Sequence, residues 1–398
     1  MLEVYTSEKG SVIAPVQERA HHIDWLRVLA MLMVFWMHVA RIFDDAQGWT
    51  VKNSETAFGF TVFLGVLHFW IMPLFFFVSG ASSFYALQSR TPGQYAGERF
   101  RRLGFPYVFG MLVMGLPHNY FHCLDTSQEC LGLLPGWWRD LLLIRPRFSP
   151  DVLGPGSVHL WFLSHLLVMS LLAIPLFLLL QAGGARRSVG CPWVTGRVGL
   201  LVLGVSLVAV RIALTPLLPG YTGWADFFFW FLFFVYGYWF IHDPGLADAA
   251  ARLWGMALAV GVAGFLGIMV LETTIELKPC FGRPDYSPGC MLFLALSAVV
   301  AWSVVVAFFG VSRIRLGFRN RFLGYAAPMV ISFYVVHHLV IVVIGFHVIG
   351  LEVGTTSKFI LVGLTALLTS LVLCEVIKRV PLLSLLMGIR RDRGGLDQ

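Results

Sequence analysis

Between Ile23 and Phe43 the apolar run IDWLRVLAMLMVFWMHVARIF carries Asp24, Arg27, His38 and Arg41. A charged group at bilayer depth costs about 2.5 to 3.5 kcal/mol on an insertion scale, so such groups persist where they have a use or a partner. On a helix, the path from Arg27 to His38 makes three turns plus about 20°, which puts both side chains on one face about 16 Å apart. Asp24 falls a turn below on nearly the same face. The column suits an anionic ligand held at Arg27 and a proton taken by His38, since neutral imidazole is the side chain best matched to general-base work near neutral pH. The same spacing also fits an interfacial ion pair plus an imidazole hydrogen-bonded to a neighbouring helix.

Four further stretches carry groups of this kind. HFWIMPLFFFVSGASSFY, from His68 to Tyr85, places Pro73 and the small residues Ser79, Gly80, Ala81, Ser82 and Ser83 in a membrane-length run. They either line a cavity or let two helices pack closely. Arg99, Arg101 and Arg102, ahead of Pro106 and Tyr107, suit phosphates, or anchor the chain beside anionic lipid. VHLWFLSHLL brings His159, Trp161 and His165, with His165 pointing deepest; Trp161 also fits an interfacial belt. ISFYVVHHLV brings Ser332, Tyr334, His337 and His338. Adjacent histidines diverge by about 100° on a helix, so only one of His337 and His338 is expected to share a cavity with His38. His118 and His122 have the spacing of a metal pair, but no third ligand is placed to complete a set, so no metal is expected. No phosphate-binding loop, nucleophile elbow or dinucleotide fingerprint occurs.

The elements that must position these groups are membrane helices. Of 398 residues, 58% are hydrophobic and 13% charged, against about 25% charged in soluble domains. The chain is expected to be an all-α, polytopic membrane bundle of about ten transmembrane helices, at roughly 23–43, 58–87, 104–122, 158–181, 196–218, 224–241, 252–274, 290–311, 328–349 and 358–378. The second window is too long for an upright span, and tilt, or a break near Pro73 or Gly80, is expected. One membrane domain, 23–380, lies between an N-terminal tail, 1–22, and a basic C-terminal tail, 381–398. The tail before the first span has no apolar leader segment, so that span is expected to direct insertion. Of 29 Lys and Arg residues, the tails and loops on one side hold 19 and those opposite hold 7, so both termini are expected to be cytoplasmic. The net charge of +7 comes from these loops and gives no reason to expect nucleic acid. Cys123 and Cys130 share one outer loop and Cys280 and Cys290 another, which reads as two disulfides on the oxidising face. The outer loop 123–157, rich in Pro, Gly and Trp, is long enough for a lid or binding element.

Taken in order, five stretches resemble the acyltransferase-3 family of integral membrane acyltransferases. They are Arg27 with His38, the FFFVSG segment around Ser79 and Gly80, RFRRLGFPY, HLWFL and SFYVVHH. The resemblance covers about residues 23–386 and is nearest to a branch associated with O-succinylation of osmoregulated periplasmic glucans. It implies transfer of an acyl group, succinyl or acetyl, from cytoplasmic acyl-CoA to a hydroxyl of a periplasmic glucan or other outer-face glycan, at a bacterial inner membrane. Arg27 would serve the donor with Arg99, Arg101, Arg102 and Ser79, and His38 the transfer. The pocket candidates are Asp24, His68, Trp161, His165, Tyr334, His337 and His338. Acyl-CoA would be a substrate, and no tightly bound cofactor is expected. Tyr334, His337 and Trp161 are candidate oxyanion donors, and Asp226 and Glu272 candidate carboxylates for orienting His38. A succinyl carboxylate would call on Arg41 or Arg211, unless these pair structurally. A proton-coupled transporter or glycan flippase using Arg27 and His38 as a relay is the rival class. Paired broken helices would favour that rival, and the sequence signals only one, around Pro73.

Overall fold

The computed structural model describes residues 21–46, 48–125, 159–182 and 196–389. The described residues hold fifteen α-helices and no strand. They are α1 (His21–Ala40), α2 (Phe58–His68), α3 (Ile71–Gln88), α4 (Pro92–Arg99), α5 (Phe105–Asp125), α6 (Trp161–Leu172), α7 (Ile174–Ala182), α8 (Gly196–Leu214), α9 (Trp224–His242), α10 (Pro244–Thr274), α11 (Lys278–Gly282), α12 (Pro288–Arg315), α13 (Arg321–Val348), α14 (Thr355–Arg379) and α15 (Pro381–Leu386). Each of the ten apolar windows holds a helix. Eight, counting α2–α3 as one, are long and apolar enough to cross a membrane, and the bent pair α6–α7 makes a ninth. Helix α5 fills the remaining window. The protein is thus a polytopic bundle of membrane helices.

Burial sorts the helices into centre and rim. In α1, 67% of the membrane-length window is buried, and 72% in α12 and α13, whereas α8 and α10 bury 22% and 17% and turn Leu201, Val205, Leu266 and Val270 outward. Helix α1 packs against α13, α3, α12, α2 and α14. The residues of the Arg27–His38 column therefore meet protein on nearly every side. Two glycines set the tightest crossing, between α3 and α9. A Cβ on Gly80 would lie 1.8 Å from the Phe234 carbonyl oxygen, and one on Gly237 would lie 1.8 Å from that of Phe77. Without a side chain at either position the backbones come into van der Waals contact, the usual way membrane helices gain dispersion energy where lipid offers no hydrophobic drive.

Two expectations change at the level of backbone. The second window breaks at Phe69–Trp70 rather than at Pro73 or Gly80, with α2 ending at His68 and α3 starting at Ile71. Pro73 falls in the first turn of α3, where a missing N–H costs nothing. Gly80 is needed for packing instead. A second span is broken as well, since α6 and α7 meet at Ala173 with a bend of 43°. Pro175 stands in the first turn of α7, and only Leu172, Ala173 and Ile174 occupy the bend.

Cys280 and Cys290 form a disulfide that closes the α11–α12 connection, and Cys374 is a buried thiol on α14. The expected Cys123–Cys130 pair, the loop 126–158 and the side chains of His118 and His122 lie outside the described residues.

Ala at Gly80 or Gly237 is expected to cut the yield of monodisperse protein severalfold in detergent extracts. Gly255→Ala, where a new Cβ meets nothing within 4 Å, is expected to leave it unchanged. Equal yields from all three variants would refute the close crossing.

Candidate active site

At the end of the bundle where α1 begins, Arg27 reaches Asp24 at 3.0 Å and the Ser82 hydroxyl at 2.5 Å. Ser82 in turn donates to the Val78 carbonyl, 2.8 Å away. One residue on, Ser83 accepts from Tyr95 at 2.9 Å and from Arg99 at 3.0 Å, and the Arg99 guanidinium lies 4.9 Å above the Tyr95 ring. Two guanidiniums are thus hung on the small-residue run of α3. A third element completes the mouth, a π-helical turn at Phe100–Gly104 between α4 and α5. Such wide turns re-aim side chains and recur at functional sites. This one carries Arg101 and Arg102. Glu98 pairs with Arg90 at 2.6 Å and with Arg102 at 3.5 Å.

These groups rim a cavity of about 330 Å³, within the range of small-molecule sites. Arg27, Ser79, Ser82, Arg90, Arg99 and Arg102 line its cationic end, and Phe75, Phe162, Leu166, Ile331 and Tyr334 the remainder. Four guanidiniums against the carboxylates of Glu98 and, behind Arg27, Asp24 leave the mouth cationic and suited to an anion, while the inner wall suits an uncharged chain. Arg101 opens instead onto a shallower basin beside it, of about 560 Å³, shared with Ser89, Arg90, Gln94 and Glu98.

Tyr334 is the wall between this cavity and a second cluster built around His38. His38 Nδ1 lies 2.9 Å from His337 Nε2, with the rings nearly parallel at 13°. His338 stands edge-on to His38, and His159 stacks on His338 at 4.5 Å. Both adjacent histidines therefore meet His38, contrary to the expectation of one. Their divergence lets both flank its ring, His337 edge to edge in nearly the same plane and His338 nearly perpendicular to it. His159 Nε2 donates to the Tyr334 carbonyl at 2.8 Å, and the Tyr334 hydroxyl returns a bond to the His159 carbonyl.

A strap over residues 41–57 closes the cluster on the far side. Asp44 receives Arg41 at 2.5 Å and Lys52 at 2.6 Å, Asn53 bonds back to Ile42, and Lys358 of α14 holds Asn53 at 3.1 Å. Where the strap leaves the bundle, the hydroxyls of Thr56 and Thr61 hold the Asp45 carboxyl below its ordinary pKa range. Trp49 from the strap lies 5.4 Å from the His38 ring and 5.0 Å from that of His338. Its indole N–H is buried with no hydrogen-bond partner among the described residues. Sequence reasoning passed over Trp49 because one tryptophan in a polar connector carries no signal.

The other candidates fall elsewhere. His68 lies on a separate pocket of about 40 Å³ with Tyr221, Trp230, Arg211 and Asp226. Trp161 stacks on Trp230, and His165 is buried between the carbonyls of Trp161 and Thr222. The Tyr334 hydroxyl and the His337 nitrogens are already engaged, and Trp161 packs against His165, Tyr221 and Trp230, so the three are not placed as oxyanion donors. Asp226 pairs with Arg211 and accepts from the Thr222 N–H, and Glu272 is exposed on α10, so neither orients His38. Arg41 and Arg211 are both in ion pairs. Among the described residues no cluster of metal-ligating side chains occurs.

A family model described as an acyltransferase domain matches residues 21–376. Curated relatives include the glucans biosynthesis protein C of Escherichia coli K12 and that of Escherichia coli O6:K15:H31. Each is 24% identical over 390 residues, covering 93% of this chain and 94% of the relative. No solved structure matches. The family match spans nearly all of the described bundle, from the first residue of α1 to the last turn of α14, and the chain belongs to the acyltransferase-3 family of membrane acyltransferases.

Proposed function

We propose that the protein moves an acyl group from cytoplasmic acyl-CoA, through the cavity, to a hydroxyl of a periplasmic glucan or another glycan outside the cytoplasm. The observation that carries this reading is the cavity itself, which begins among Arg27, Arg99 and Arg102 and ends at Tyr334, one side chain from the His38 cluster. Phosphates would stay at the arginine mouth while an uncharged thioester arm occupies the apolar interior. The loop charges support a cytoplasmic mouth and cytoplasmic termini, and the Cys280–Cys290 disulfide supports an oxidising environment at the opposite end. Together they favour the inner membrane of a bacterium. The relatives' names, which refer to glucan biosynthesis, favour a glucan as acceptor.

A thioester is already activated, so the remaining tasks are to align the alcohol, take its proton and meet one oxyanion. His38 takes the proton as the alcohol oxygen bonds to the acyl carbon. When the carbon–sulfur bond breaks, the proton goes to the departing thiolate. The Trp49 indole N–H is the donor assigned to the acyl oxygen. Transfer is direct, with no acyl-enzyme. The second broken span, at α6–α7, speaks for a relay transporter, but that reading leaves the arginine-rimmed cavity without a role.

Mass spectrometry of periplasmic glucans from a deletion strain complemented with this protein tests the reading. Added succinyl or acetyl mass is expected with wild type and is expected to vanish with His38→Ala or Arg27→Ala at equal membrane abundance. Normal acylation by His38→Ala would overturn the assigned base. In steady-state assays, Arg99→Gln with Arg102→Gln is expected to raise the KM for acyl-CoA tenfold or more with kcat little changed, whereas Trp49→Phe is expected to lower kcat about 10²-fold, the usual loss of one oxyanion donor. The reverse pattern would place the donor elsewhere.

A further inference from the structure

A general base of this kind needs its far ring nitrogen fixed by a hydrogen-bond acceptor, a task that a carboxylate performs in the familiar catalytic triad. Among the described residues no Asp or Glu performs it. The group that meets His38 Nδ1 is the Nε2 of His337, at 2.9 Å, on a helix 299 residues away in sequence. Two imidazole nitrogens can share one proton in either direction, so the contact alone leaves the tautomer open.

The other side of His337 decides it. His337 Nδ1 lies 2.7 Å from the Tyr334 carbonyl oxygen and 3.0 Å from that of Phe333. Both are acceptors only, so Nδ1 must carry the hydrogen that bonds to them. A neutral His337 then has its lone pair on Nε2 and accepts. His38 Nδ1 therefore donates, and the lone pair of His38 falls on Nε2. Among the described residues, that nitrogen has no hydrogen-bond partner.

We infer that His337 is a positioning residue that fixes His38 in the tautomer with a free, basic Nε2, using the backbone carbonyls of α13 where other enzymes use a carboxylate. The inference deepens the proposed acyl transfer and rests on it. The physical advantage is the absence of a buried anion. A carboxylate at this depth would need several kcal/mol of compensation, whereas a neutral histidine leaning on peptide carbonyls needs none. When His38 takes the alcohol proton on Nε2, its Nδ1–H bond to His337 becomes charge-assisted and strengthens, so the support is greatest as the proton moves.

The geometry also says which replacement preserves the function. Gln at 337 can place its side-chain carbonyl oxygen close to the position of the imidazole Nε2 and accept from His38. Leu fills similar space and accepts nothing. In purified protein assayed with acyl-CoA and extracted periplasmic glucan, His337→Leu is expected to lower kcat 10²-fold or more, with the Kd for free CoA, measured by calorimetry, within twofold of wild type. His337→Gln is expected to recover turnover to within tenfold of wild type. Near-normal kcat in His337→Leu would overturn the inference, and so would equal loss in the Gln and Leu variants while both still bind CoA normally. Full activity of His38→Ala in the same assay would instead overturn the proposed base, and this inference with it.

Discussion

Arg27 is held by Asp24 at 3.0 Å and by Ser82 at 2.5 Å, and the same economy runs through the bundle. A guanidinium inside an apolar bundle is tolerated when charge and hydrogen-bond partners come with it. Asp24 supplies the charge from the same helix, one turn away, and Ser82 the acceptor from α3. Arg211 finds Asp226, Arg41 finds Asp44, and Lys358 finds Asn53 and the Ile349 carbonyl. The contacts of Arg27 with Ser82, Arg211 with Asp226 and Lys358 with Asn53 each tie one span or strap to another, so groups that the membrane makes expensive also fix the relative positions of the helices. The close α3–α9 crossing at Gly80 and Gly237 completes this, since it brings the serines of α3 into a fixed relation with the rest of the core.

The His38 cluster follows a different rule. The rings of His38, His159, His337 and His338 lie at mutual separations of 4.5 to 6.4 Å. His159 and His337 bond to backbone carbonyls of α13, and His38 bonds to His337. A neutral group hydrogen-bonded to backbone is among the least costly polar structures that can be buried this deeply. The cationic mouth and the neutral cluster are thus two solutions to one desolvation problem, one by charge pairing and one by hydrogen bonding.

Much of this was legible in the sequence because the signals were local. Ten apolar windows and the Arg27–His38 spacing follow from residue type and the pitch of a helix. The partners were not legible, because periodicity on one helix says nothing about which helix lies opposite. That His337 meets His38 depends on α1 lying against α13, and that both His337 and His338 do so depends on the ring of His38 seating between them. The break at Phe69–Trp70 was hidden for a related reason. Pro73 is the residue that advertises a break, but its place in the first turn of α3 shows it starting a helix. The strap was hidden because the stretch after Phe43 read as an ordinary polar connector, and the burial of Asp44, Thr50, Val51 and Asn53 reveals that it is part of the core.

Separation of the two clusters constrains what can meet there. Between the arginines and Tyr334 the cavity is walled by Met31, Phe75, Phe162, Leu163 and Ile331. A sugar hydroxyl entering by that route would lose its water without finding acceptors, at a cost of about 1 to 3 kcal/mol for each unpaired group. A slender uncharged chain would lose nothing comparable, and its charged end would remain among the arginines. The apolar lining therefore discriminates between the two substrates of an acyl transfer as strongly as the charged mouth does. Under the proposed function it favours entry of the donor from the arginine side and approach of the acceptor from the strap side, with Tyr334 standing between the cavity and His38.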